Sequence, residues 1–115
     1  MAAKGQLKYT SRDTDLAWAI ITAVCARYHV EPMVMCSHDR RLHVAFARQI
    51  AMYLIRGMTN MSSPAIGELF EHDHSTVLTT QKVIAARVVA WPALGRELER
   101  LTADIQAEPA AEAVA

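Results

Sequence analysis

Ser62-Ser63-Pro64-Ala65-Ile66-Gly67-Glu68-Leu69-Phe70-Glu71-His72-Asp73-His74-Ser75-Thr76-Val77 is the stretch on which the fold turns. Ser62 stands where its hydroxyl accepts the N–H of Ala65, and Pro64 falls in the first helical turn, where a missing N–H costs nothing. Ile66, Leu69 and Phe70 then share one face of a short helix. Glu71-His72 interrupts it, and Asp73 caps a second helix whose inward row is Val77, Ile84 and Val88. Helix, tight turn, helix is a DNA-reading arrangement: the second helix enters the major groove by its N-terminal residues while the first crosses the backbone. Asp73, His74, Ser75 and Thr76 are compact and polar, and the N–H groups of a first helical turn favour an anion. Asp and Ser at a helix start are also ordinary caps, so spacing alone leaves a plain bundle helix open.

Upstream, Val44, Ala47, Ala51, Leu54, Ile55 and Met58 form one face of a longer helix stopped by Gly57 and Thr59-Asn60, with Arg48 and Arg56 placed outside that stripe. The polar connector Ser37-His38-Asp39-Arg40-Arg41 precedes it and is a candidate contact loop. Earlier still, Asp13 or Thr14 caps a helix carrying Leu16, Ile20, Val24 and Tyr28 that ends before Pro32, and Met33 to Met35 make a short turn. Residues 1–12, with Lys4, Gly5, Lys8 and Arg12, read as a flexible arm. Downstream, Pro92 interrupts the pattern, and Leu94, Leu98, Leu101 and Ile105 mark a last amphipathic helix. The expected organisation is a domain over 13–106 and a disordered tail over 107–115.

The 115 residues are 52% hydrophobic but only 6% aromatic, and alanine is abundant, which favours packed helices over strands. The expected fold class is therefore all-α. Twelve Lys and Arg balance twelve Asp and Glu. From Trp91 onward, however, Arg96 and Arg100 face Glu97, Glu99, Asp104, Glu108 and Glu112, so the basic charge is concentrated in residues 1–90.

Arg27, Arg48, Arg56 and Arg87 break every apolar region short of a membrane span, and the first ten residues lack a signal peptide's apolar core; a cytoplasmic, nucleoid-associated protein without membrane contact is expected. The four glycines are isolated, so no nucleotide-cradling loop is visible and no cofactor is expected. Cys25 and Cys36 have neither zinc nor disulfide-framework spacing and read as reduced thiols. Glu71-His72-Asp73-His74 offers metal-ligand chemistry, but its two histidines straddle the turn and no remote ligand pair presents itself. With no histidine predictably beside either cysteine and no oxyanion loop, the chain reads as a non-enzyme without a metal.

Three motifs occur in order: Ala47-Arg48-Gln49-Ile50-Ala51-Met52-Tyr53-Leu54-Ile55-Arg56-Gly57-Met58-Thr59, Pro64-Ala65-Ile66-Gly67 and Asp73-His74-Ser75-Thr76-Val77. Together they resemble the C-terminal DNA-binding domain of the bacterial replication initiator DnaA, with weaker similarity from about Ile20 to Ile84. The resemblance implies a six-helix, trp-repressor-like domain that binds DnaA-box duplexes as a monomer. Its recognition helix would lie in the major groove and the preceding basic loop in the adjacent minor groove. Carried over by position, Asp73, His74, Ser75 and Thr76 would meet bases and nearby phosphates. Arg48, Gln49, Arg56 and Pro64 would follow the backbone, with Arg40 in the minor groove and Arg41 beside it.

Departures from the family pattern lie inside this site. Glu71-His72 replaces Gly-Gly-Arg, one residue shorter, which implies a changed helix angle and weaker binding. Ser75 lacks the methyl of the usual threonine, Ala47 and Ala65 replace a proline and a glutamate, and Asp39 and Leu42 dilute the basic loop. The family's ATPase module is not recognisable in the chain, so the expected role is an accessory regulator of replication or transcription that occupies double-stranded DnaA-box-like sites. The alternative is a protein-interaction module, or a self-associating one, that keeps the helix-turn-helix as scaffold and uses the last helix's apolar stripe.

Overall fold

Thr10 and Asp13 start the first helix by satisfying each other's backbone donors. The Thr10 hydroxyl accepts the Asp13 N–H at 3.3 Å and the Asp13 carboxylate accepts the Thr10 N–H at 3.0 Å, a complete capping box. The computed structural model describes the backbone of residues 10–114 and the side chains of 10–107. Most of the arm expected over 1–12 lies outside the described residues. Ser11 and Arg12, assigned to it, are already helical, because the cap is Thr10 and not Asp13 or Thr14.

Helix α1 spans Ser11–Tyr28 and stops where His29 takes a left-handed backbone, φ 58°, and returns its N–H to the Cys25 carbonyl. Pro32–Met35 form the short α2. Leu42–Met58 form α3, Ser63–Phe70 α4, His74–Ala90 α5 and Pro92–Val114 α6. The described residues thus hold six helices and no strand. Ser62 accepts the Ala65 N–H at 3.3 Å, as its position in the sequence predicts. The backbone of the last helix runs through Val114, within the segment expected as a tail over 107–115.

The long α3 lies at the centre, packed by α1 and α5, while α5 also contacts α4 and α6. Ile20, Ile21 and Val24 meet Val44, Ile50, Ala51 and Ile55 in the middle of this core, all without exposed surface. Ile66, Phe70 and Val77 clamp α4 to α5 and are equally buried, each worth about 1.5–3 kcal/mol of apolar burial. Leu94, Leu98, Leu101 and Ile105 are buried in the same core. The stripe of the last helix therefore closes the chain's own interior and offers no free docking face.

A polar tie fastens α6 to α1. Glu97 accepts hydrogen bonds from Arg27 Nη2 at 2.9 Å and from the Tyr28 hydroxyl, whose ring stands edge-on to Phe46 at 5.6 Å. Burial, and then Glu97, push the Tyr28 hydroxyl above its ordinary pKa. Both cysteines are free; Cys25 lies 3.8 Å from the Met35 sulfur, and burial pushes its pKa up to about 11. No described helix is long and apolar enough to cross a membrane.

Candidate DNA interface

The turn between α4 and α5 consists of Glu71, His72 and Asp73. Glu71 adopts a left-handed backbone, φ 57°, and donates its N–H to the Glu68 carbonyl at 3.3 Å, while the His72 N–H reaches the Gly67 carbonyl at 2.8 Å. This pair of bonds is a Schellman ending, usually built on glycine at the left-handed position. Here the required glycine sits one turn earlier: a Cβ on Gly67 would collide with the His72 carbonyl oxygen. The chain thus makes the shortened connection at the cost of a left-handed glutamate, a conformation that disfavours any side chain.

Asp73 occupies the N-cap of α5, but its side chain makes no capping bond. Its carboxylate instead accepts the Ser75 hydroxyl at 2.8 Å and lies 3.3 Å from His74 Nδ1. The Ser75 bond, ahead of the neighbouring His74, holds the Asp73 carboxyl below its ordinary pKa. Asp73, His74, Ser75 and Thr76 are all exposed, and buried Val77 roots them in the core directly behind. The exposed face continues along α5. Ser75, Leu78, Thr79 and Lys82 follow the spacing that puts helical residues on one side, opposite buried Val77, Thr80 and Ile84. Leu78, Thr79 and Lys82 are not among the residues assigned from the sequence motifs. The complement of the inward row was the available signal for them.

The contact loop is built around Asp39. Arg41 grips it through Nε, at 3.0 and 3.1 Å to the two carboxylate oxygens, and through Nη2 at 2.7 Å. This fork holds the Asp39 carboxyl down at about 2. The two charges offset each other, so Asp39 does not oppose the loop's remaining cation. Arg40 is exposed and has no ion-pair partner among the described residues.

Arg48 corrects the expectation that it lies outside the apolar stripe, free for a phosphate. It is only 6% exposed, and its guanidinium donates to the Met35 carbonyl at 2.8 Å and to the Asp39 carbonyl at 2.9 Å. Burial lowers its pKa from the ordinary arginine value. The physical reason is register: residue 48 follows Val44 by four and precedes Ala51 by three, which is the buried face of α3. Arg48 is thus a strut beneath the contact loop.

The other assigned residues spread along the surface. Gln49 is half-buried on α3, Pro64 is exposed in the first turn of α4, and Arg56 is exposed near the far end of α3. Arg56 borders a hollow shared with Gln81 of α5, whose side-chain amide donates to the Met52 carbonyl at 3.2 Å. The loop and the turn, by contrast, are joined directly. His72 Nε2 donates to the Ser37 carbonyl at 3.0 Å, and its ring stacks on His38 at 4.8 Å with the planes 25° apart. Arg40 and the start of α5 consequently belong to one surface, and no sequence motif marks the two histidines that connect them.

The family described as the bacterial DnaA protein helix-turn-helix matches residues 6–90. The chromosomal replication initiator protein DnaA of Caldanaerobacter subterraneus subsp. tengcongensis is 38% identical over 78 residues, covering 68% of this chain and 18% of that protein. The DnaA protein of Symbiobacterium thermophilum is 40% identical over 99 residues, covering 84% and 22%. That of Trichormus variabilis is 38% identical over 85 residues, covering 73% and 18%. The chain spans about a fifth of the length of these curated relatives. A helix-turn-helix whose second helix starts exposed and polar, carried on a match through most of the chain, places it in the bacterial DnaA helix-turn-helix family of DNA-binding domains.

Proposed function

We propose that this chain reads double-stranded DNA at DnaA-box-like sites and acts there as an accessory regulator of replication or transcription. One observation carries the reading: the exposed start of α5 and the Arg40 loop are fastened side by side through His72. A recognition helix in the major groove and an arginine in the adjacent minor groove require that juxtaposition. His74 and Thr76 supply hydrogen-bonding atoms and, in Thr76, a methyl that matches thymine; Asp73 accepts from cytosine N4. Arg56 supplies a phosphate contact, and exposed Lys82 adds a second cation on the Ser75, Leu78 and Thr79 face of α5. Occupying a site in this way needs no nucleotide and no cofactor, and it is binding rather than catalysis. A DNA-occupying role also implies residence at the nucleoid.

Fluorescence anisotropy on a DnaA-box duplex and a scrambled duplex, each across a salt series, tests the proposal. Tighter and salt-dependent binding to the box is the expected result. Equal salt-dependent binding to both duplexes means a DNA binder with a different code, and no binding at low salt to either overturns the proposal.

A further inference from the structure

We propose that His72 is a positioning residue that sets the minor-groove reading of Arg40, so that the turn before the recognition helix and the contact loop act as one reading unit. The inference rests on the DNA-binding reading above. Its ground is the pair of contacts that this one side chain makes with a loop 35 residues away: the Nε2–H bond to the Ser37 carbonyl at 3.0 Å and the stack on His38 at 4.8 Å. Both partners precede Arg40 by three residues or fewer. From below, Arg48 holds the Met35 and Asp39 carbonyls, and the Ser37 hydroxyl donates to the Val34 carbonyl at 2.6 Å.

The turn's own backbone explains why His72 faces the loop. The left-handed Glu71 and the His72 N–H bond to Gly67 fix the residue at the end of α4, one position before the Asp73 cap. A carbonyl only accepts, so the Ser37 bond fixes the imidazole with its proton on Nε2. Any shift of the loop relative to α5 must therefore break a directional bond and an aromatic stack together. An arginine reads a minor groove through the groove's width and potential, and its penetration depends on how the loop is held.

The test compares binding to a box duplex with binding to the same duplex carrying 2,6-diaminopurine for adenine in the minor-groove half. The added amino group fills the minor groove and leaves the major-groove edge unchanged. The wild-type chain should discriminate between the two roughly tenfold, the scale of one good base contact. Arg40→Ala should abolish most of that discrimination. His72→Ala should do the same, and the double variant should lose no more than either single, since both act on one contact. His72→Gln, which keeps a donor for Ser37, should restore part of it, while major-groove preferences set at His74 stay unchanged in all these variants.

Thermal melting checks that each variant folds. If His72→Ala does not, His38→Ala removes only the exposed partner of the stack and should weaken the same discrimination. Undiminished discrimination in the folded variants, or losses that multiply with Arg40→Ala, overturn the positioning role while leaving DNA binding intact. A wild-type chain that binds neither duplex overturns the DNA reading itself.

Discussion

Arg48 and Arg56 stand on the same helix about two turns apart, and both resemble phosphate contacts in the sequence. The structure separates them completely. Arg48 is buried and holds the Met35 and Asp39 carbonyls, whereas Arg56 is exposed at the other end of α3. A charged residue in a nucleic-acid-binding family thus has two routes to importance: it can meet the phosphate, or it can shape the loop that does. Only the first route is governed by salt, because it alone exchanges counterions for protein charge.

The largest expected effect lies with the buried member. Arg48→Ala removes two charge-assisted bonds and leaves the Met35 carbonyl without a donor beneath the contact loop. A loss of about 2–4 kcal/mol in urea denaturation is expected. Arg56→Ala should change stability by less than about 0.5 kcal/mol. Equal stabilities for the two variants would dissolve the distinction between them.

The reverse comparison holds for binding. Arg56→Ala should lower the slope of log affinity against log salt by about 0.9, one phosphate's worth, and weaken box and scrambled duplexes alike. Arg48→Lys, which keeps the charge but not the two-carbonyl fork, sharpens the contrast. It should leave the slope near its wild-type value while destabilising the fold, because a lysine's single ammonium cannot reproduce the guanidinium geometry. A slope that falls in the lysine variant would return Arg48 to the phosphate backbone.

Much of this architecture is legible in the sequence, and the illegible parts have identifiable causes. Ser62, Pro64 and the apolar rows at Ile66, Phe70, Val77 and Ile84 announce the helix-turn-helix because caps and helical periods are local signals. Arg48 was legible by spacing, since it shares a face with Val44 and Ala51, but its charge invites a surface placement. Buried arginine is rare unless paired, and carbonyl partners leave no mark in a sequence. The Thr10 capping box was likewise present as a threonine three residues before Asp13, masked by the stronger capping appearance of Asp13 itself. The His72 fastening could not be read at all, because it joins positions 35 residues apart and depends on how two connections, neither of them helical, happen to lie.

A smaller effect is expected at the turn. Glu71 bears the left-handed backbone that glycine would adopt freely, φ 57°. Glu71→Gly should therefore raise stability by about 0.5–1 kcal/mol, the relieved backbone cost less the extra freedom gained by the unfolded chain. Melting temperature reports it. His29, with φ 58° at the end of α1, provides the matched control: His29→Gly should give a similar gain without touching the proposed reading surface. If only the Glu71 variant changed DNA preference while both gained stability, the turn's conformation and its side chain would be separable contributions.

The smallest effect on stability concerns Asp39, whose charge is offset by its pairing with Arg41. The folded carboxyl titrates at about 2, below the ordinary 3.8, chiefly because of the Arg41 side-chain bonds. A depressed folded value means that the pair's contribution to stability is fully present above the ordinary aspartate range and is lost as pH falls from there through about 2. It contributes nothing that changes near neutrality. Carboxyl-carbon NMR should find the Asp39 midpoint near the low value in the wild type and raised toward the ordinary range in Arg41→Ala, whose backbone N–H still donates to the carboxylate. The same variant exposes Asp39 as an unpaired negative charge beside Arg40, so box binding should weaken more than the loss of one distant surface arginine would produce. A normal Asp39 midpoint in the wild type would mean that the fork is not held in solution. Arg41 would then be free for phosphate, and the loop would carry two active cations instead of one.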